Sequence, residues 1–225
     1  GLRVVAEASL EAKPPFALTA KAGIEGDAAG RALAFDLTAE GRLEDFALQG
    51  LARAGVTPAG EHFAGEIAAR ITPFSPQPVL GAVIQLSAVD PSAWIDGAPQ
   101  AVLDLRAELQ PQGNASAGLS GRLTVLNRSP GPVDRQRLPV ASLQADLALG
   151  ENGWRLANLD AHVSGGGRLQ GGGCLHADEL ALRLAVTSLD ASALHSSLRR
   201  TQLAGPLLAT LGLNSQRLET DLRDA

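Results

Sequence analysis

Residues 2–13, LRVVAEASLEAK, alternate between apolar and polar positions. Leu2, Val4, Ala6, Ala8, Leu10 and Ala12 fall on one face, and Arg3, Glu7, Ser9, Glu11 and Lys13 on the other, with Val5 the one apolar exception. Period two over this length predicts a strand with one buried side, since a helix would scatter the same positions around its surface. Pro14-Pro15 stops the run, and Phe16, Leu18, Ala20, Ala22 and Ile24 resume it. Gly26 to Gly30 reads as a turn, followed by Leu33, Phe35, Leu37 and Ala39 in another strand. Phe46 and Leu48 predict a strand ending near Gly50, and Phe63, Ile67, Ala69 and Ile71 the next, before Pro73, Pro76 and Pro78 break the ladder.

The alternation continues through Leu80, Ala82, Ile84 and Leu86, then Leu103, Leu105, Ala107 and Leu109, then Leu123 and Val125. Ala141, Leu143, Ala145, Leu147 and Leu149 pair across Glu151-Asn152-Gly153 with Trp154 and Leu156, because Asn-Gly tolerates the positive φ of a tight hairpin. About fourteen strands are expected, with short helices near 91–96 and 191–200 only. One sheet of that many strands, at ~4.8 Å each, runs to about 65 Å, longer than a twisted open sheet holds without curling. The expected fold is mostly β: an elongated, curled antiparallel sheet, a taco-like trough or a β-solenoid-like stack, with an apolar interior and a few short helices. Short connections favour antiparallel neighbours.

A weak internal repeat underlies the pattern. Residues 80–94, LGAVIQLSAVDPSAW, align without a gap on 180–194, LALRLAVTSLDASAL. The strand phase is kept, Ile84 over Leu184 and Leu86 over Val186, and Asp90 recurs as Asp190. Self-similarity at a fixed period points to assembly by repetition, so residues 1–225 are read as a single elongated β-repeat segment.

Composition sharpens this picture. The 225 residues include no Tyr, no Met, five Phe and two Trp, so any core must rest on Ala, Leu and Val. Evenly layered repeats can do that. The net charge of −5 is spread along the chain without a basic run or aromatic-plus-Arg cluster, which disfavours nucleic acid. Lysine occurs only at 13 and 21. The lone Cys174 cannot form an internal disulfide and leaves the compartment open. No apolar run approaches the ~20 residues of a membrane span, and no signal peptide is present. The chain starts and stops in mid-pattern, so we expect a section of a longer protein whose anchor lies elsewhere.

Candidate chemistry is sparse. Asp90 and Asp190 each precede a residue and a Ser-Ala pair, and an N-cap explains those neighbours, with Pro91 at the first helical position. His62, His162, His176 and His195 are isolated, and Cys174 with His176 supplies two of the four ligands a zinc site needs. Ser, His and Asp are present without Gly-x-Ser-x-Gly. Gly165–Gly167 and Gly171–Gly173 match neither phosphate-loop spacing and read as a bent or bulged strand pair. Asn114-Ala-Ser116 matches the glycosylation acceptor, a pattern short enough to arise by chance. No enzyme activity, metal or cofactor is expected. The distributed feature is the apolar face, and its aliphatic candidates for lining a groove are Leu80, Ile84, Leu86, Leu103, Leu105, Leu123, Val125, Leu143, Leu147, Leu182 and Leu184. Such a face is either ordinary core or a groove open to acyl chains.

Several stretches resemble the repeat of the large TamB proteins in the AsmA-like superfamily of Gram-negative bacteria. They are ITPFSPQP at 71–78 leading into VDPSAW at 89–94, LSGRLTVLN at 119–127 followed by PGPVDRQRLP at 130–139, GWRLANL at 153–159 and GGGRL at 165–169. The resemblance is strongest over about 60–225. It implies an inner-membrane-anchored protein extending across the periplasm, with a curled sheet whose apolar interior conducts phospholipids towards the outer membrane. It further implies an outer-membrane TamA-like barrel as partner, met through other parts of the full-length chain, and a link to autotransporter assembly.

Three functional classes compete. The first is a lipid-conducting segment whose phospholipid acyl chains lie in the groove, each shielded CH₂ worth ~0.8 kcal/mol. The second is a structural scaffold for outer-membrane barrel or autotransporter assembly, templating client strands at exposed edges. The third, an enzyme or carbohydrate-binding solenoid, calls for a row of outward aromatic or acidic residues, and the chain has none. The first two differ in whether the apolar face is open or closed by its own side chains.

Overall fold

The computed structural model describes residues 3–28, 31–57, 60–95, 97–113, 118–150, 153–177, 179–212 and 216–224. Glu151 and Asn152 of the expected hairpin turn, and Asn114–Ser116, lie outside them. The first strands are β1 (Arg3–Leu10), β2 (Ala17–Ala28), β3 (Arg31–Arg42), β4 (Asp45–Val56) and β5 (His62–Ile71). They continue as β6 (Val79–Val89), β7 (Leu103–Pro111), β8 (Leu119–Asn127), β9 (Val140–Gly150) and β10 (Gly153–Val163). The last are β11 (Arg168–His176), β12 (Glu179–Leu189), β13 (Leu203–Gly212), β14 (Gln216–Thr220) and the two-residue β15 (Arg223–Asp224).

All belong to one sheet in the order β1 to β14, each strand antiparallel to the next, with β15 paired to β13. The sheet is curled and does not close into a barrel, since β1 and β14 stand at opposite ends of the order. This nearest-neighbour meander follows from the short connections. It is the order of a trough rather than of a solenoid, whose successive coils run parallel.

The expected helices shrink to single turns. Among the described residues a 3-10 turn spans Pro91–Ala93, a second spans Val133–Arg135, and an α-helical turn, α1, spans Ala191–Leu194. The chain cannot extend α1 because His195 is already extended, at φ −149° and ψ 125°. Asp90 and Asp190 do cap these turns, each carboxylate accepting from the backbone N–H of the serine two residues on.

The strand expected to end near Gly50 runs on to Val56. Gly50 sits mid-strand, where Ile67, Leu37 and Phe35 lean over it: a Cβ there would meet Ile67 Cγ2 at 2.6 Å. The glycine is a low point that its large neighbours fill, not a terminator. Gly165–Gly167 form the turn between β10 and β11, with φ of 84°, 119° and 122°. Gly171–Gly173 lie within β11, opposite the bulge that Asn158 makes in β10.

The chain exposes 13822 Å². A compact monomer of 23.1 kDa exposes about 9,700 Å². The excess is that of a single-layer sheet with solvent on both faces. Half of the buried hydrophobic residues among the described residues are alanines, and all of that set lie between Ala88 and Ala209.

Candidate functional site

Antiparallel pairing places cross-strand partners on the same face, so the register can be read as rows running across the sheet. One row runs Ala8, Ala20, Ala39, Leu48, Ala69, Ala82, Leu109, Gly121, Leu147, Leu156, Gly173, Leu182, Ala209 and Leu218, from β1 to β14 without one polar residue. A second starts at Val4, Ile24, Phe35 and Ala52 and passes Gly65, Leu86, Leu105, Val125, Leu143, Ala161, Leu169 and Val186 to Gly205. Between them lies a third, through Ala6, Ala22, Leu37, Gly50, Ile67, Ile84, Ala107, Leu123 and Ala145. The Asn158 bulge interrupts it, and it resumes at Leu159, Gly171, Leu184 and Leu207. At ~4.8 Å per strand the face is about 62 Å long, and its three rows are ~7 Å apart.

Nine of the eleven expected lining residues fall on these rows: Ile84, Leu86, Leu105, Leu123, Val125, Leu143, Leu147, Leu182 and Leu184. Leu103 faces the same way but at the rim, between Val89 and Asn127. Leu80 lies off the rows. A register shift against β5 sets Val79 opposite Ile71, leaving Leu80 unpaired in the bulge and 41% exposed. A strict period-two reading carried through Leu80 misses that one-residue slip.

The face is not uniform along its length. From β7 to β13 it packs on itself in three clusters, the first built on Ala107, Leu109 and Leu147 with Ile84, Leu123 and Trp154 against them. In the second, Leu182 and Leu184 reach across the glycines of β11 to Ala145, Leu159 and Ala161. In the third, Ala193 and Leu194 of α1 cover Val163, Val186 and Leu189. Over β1–β3 no comparable cluster fills the face among the described residues. Ala6, Ala8, Ala20, Ala22, Leu37 and Ala39 line a shallow apolar hollow of about 210 Å³ there. Even in the packed part most lining side chains remain half-exposed; of the nine on the rows only Leu147 is buried.

The two rims differ. At the rim where β6, β8, β10 and β12 end, segments 90–102, 128–139, 164–167 and 190–202 form a hydrogen-bonded border. Leu138 N–H donates to Gln100 O, Arg128 N–H to Val102 O, Ser164 N–H to Pro139 O and Asp190 N–H to Gly166 O. Buried polar side chains staple the border. Asp90 Oδ1 accepts from Ser92 and Ala101, and Asn127 Oδ1 accepts from Val102 and Ser129 N–H while its Nδ2 donates to Leu138 and Val140 O. Asp134 ties two segments by accepting from Ser196 N–H (2.8 Å) and Ser196 hydroxyl. That hydroxyl bond is the chief reason its carboxyl is held below the usual carboxylate range.

The outer face is polar and laced with ion pairs between neighbouring strands, Arg53–Asp36, Arg70–Asp45 and Arg168–Asp160 among them. Cys174 and His176 lie in β11 and are exposed, and no group of three or more His, Cys, Asp or Glu among the described residues could hold a metal ion. No helix among the described residues is long and apolar enough to cross a membrane. Comparison with family models, curated proteins and solved structures returns no match.

Proposed function

We propose that this chain is a section of a periplasm-spanning, inner-membrane-anchored bridge that carries phospholipids between the inner and outer membranes, acyl chains on the apolar face and headgroups in water. The observation that supports it is the row from Ala8 to Leu218, fourteen strands long with no polar interruption. A protein in water rarely leaves so long an apolar face only partly covered by its own side chains unless something apolar uses it. Since the apolar lining is continuous, a chain can slide from strand to strand without meeting a deep well or an unpaired polar group. Such a segment carries out no covalent chemistry. A TamA-like outer-membrane barrel would be met by other parts of the full-length protein.

Native mass spectrometry with lipid extraction tests this reading. Phospholipid co-purifying with the folded chain, and lost when Ile84 becomes Arg, is the expected result. A lipid-free, monodisperse chain would overturn it. The second reading, a scaffold for barrel or autotransporter assembly, would then lead, because β1, at one end of the described sheet, has Val4, Val5 and Leu10 exposed.

A further inference from the structure

Among the described residues eight arginines form ion pairs with carboxylates. Of those that form none among the described residues, four belong to two segments of the stapled rim: Arg135 and Arg137 to segment 128–139, Arg199 and Arg200 to segment 190–202. The Asp134–Ser196 contact joins the two segments, with Arg135 next to Asp134 and Arg199 three residues beyond Ser196. Arg137 is spent on the Ser129 carbonyl and hydroxyl. Arg128, on the same rim, is neutralised by Glu61 and Asp104. The acids at the junction are occupied: Asp134 by Ser196, Asp190 by Ser192 and Thr201. Arg200 adds its charge to Asp190, and His195 is held by Ser197. Arg135, Arg199 and Arg200 therefore retain donors for an outside anion.

The neighbours of these arginines are apolar. Val133 is 53% exposed and Leu198 50% exposed, each beside this cationic group, and Ala193 and Leu194 of the same segment already pack onto the apolar face. A cationic rim with apolar side chains next to it, bordering an apolar face, fits an amphiphile whose anionic end stays in water.

We infer that the Arg135–Arg199–Arg200 rim binds the phosphate of an anionic lipid headgroup while the acyl chains lie on the adjoining apolar face. The inference rests on the lipid reading above and specifies its ligand. Guanidinium groups match phosphate bidentately, and a net negative headgroup gains from three of them where a zwitterionic one gains little.

The test titrates the purified chain with short-chain phosphatidylglycerol, short-chain phosphatidylcholine and inorganic phosphate by calorimetry. The variants are R135Q/R199Q/R200Q and, as a charge-matched control off this rim, R3Q/R155Q/R183Q, with folding checked by circular dichroism. The expected result is a phosphatidylglycerol preference of about fivefold for each arginine engaged at low salt. It should shrink as salt rises, vanish in the rim variant with phosphatidylcholine affinity unchanged, and persist in the control. Equal binding of both lipids by the unaltered chain overturns the headgroup site and leaves the acyl-chain reading standing. Loss of the preference in both triple variants also overturns it, as a non-specific charge effect. Failure of both lipids to bind overturns both readings, and phosphate binding alone would then mark an adventitious anion only.

Discussion

Asp90 and Asp190 occupy the same place in two corners one hundred residues apart. Oδ1 of each accepts from the backbone N–H and the hydroxyl of a serine two residues on, and from a backbone N–H eleven residues on, Ala101 for one and Thr201 for the other. Two residues before each aspartate the chain takes a positive φ, 55° at Ala88 and 51° at Ser188. After that bulge Val89 pairs with Leu103 and Leu189 with Leu203. The weak sequence repeat is thus a repeat of hydrogen bonds. Its conserved device is a carboxylate that turns one strand into the next at the rim.

The two corners are not equally sensitive. Asp90 is fully buried, whereas Asp190 is partly exposed. Asp90→Ala strands the buried Ala101 N–H and frees two half-buried Ser92 donors, and should cost about 1–3 kcal/mol. Asp190→Ala, whose donors can turn to solvent, should lower the denaturant midpoint by less. Asp90→Asn keeps an acceptor oxygen and should recover part of the loss. Equal midpoints for the two alanine variants would mean that burial does not set the strength of the corner.

The alternation made the strands and the shared face of most of the named leucines legible, because each strand has one polar face and a one-residue slip would turn its apolar set onto it. The caps at Asp90 and Asp190 were legible from their Ser-Ala neighbours. Leu80 was misplaced because the slip between Arg70 and Ile71 has no local signature. The stapled rim was invisible as well. Asp134 and Ser196 lie 62 residues apart, and neither matches a pattern that a local reading recognises. The same holds for Gly50, where three neighbours from β3 and β5 decide the outcome and the glycine's own propensity does not.

Position along the face sets how well a charge is tolerated. Ile84 is half-exposed on the middle row, so Ile84→Arg can lay its stem on the sheet and raise its guanidinium into water, at about 1–2 kcal/mol. Val186 is 2% exposed beneath α1, so Val186→Arg buries an unpaired charge and should lose at least ~3 kcal/mol. Thermal melts of the two variants check this contrast. If Ile84→Arg unfolds the chain as readily, Ile84 is ordinary core and not part of a groove.

Gly121 lies in the continuous row between Leu109 and Leu147, two buried leucines that approach each other over it. A Cβ there would sit 1.7 Å from the carbonyl oxygen of Glu108, which is backbone and cannot swing aside. Gly121→Ala should therefore force β7 and β8 apart and lower the melting temperature by roughly 5–10 °C, as a loss of ~2–3 kcal/mol does at this size. Gly55→Ala meets nothing within 4 Å and should be neutral or stabilising by about 0.4–1 kcal/mol. Matching melts for the two would contradict the close approach of β7 and β8.

Acid should weaken the sheet through its outer-face ion pairs. Arg70 grips Asp45 with two bonds, 2.8 Å and 2.6 Å, and Arg168 holds Asp160 through Nε at 2.7 Å. In both pairs the arginine's hydrogen bond is the main cause that holds the carboxyl below its ordinary 3.8. A carboxyl whose folded value lies below its unfolded value contributes stability above the unfolded value and loses it as pH falls through the folded one. The denaturant midpoint should hold steady at neutral pH and drop from about pH 5 downward. In Asp45→Asn/Asp160→Asn that acid limb should be shallower, with a slightly lower midpoint at neutrality, because both half-buried carboxylates are still reached by solvent and screened. A double variant whose midpoint follows the parent's at every pH would show that these pairs stitch the strands in geometry without contributing to stability.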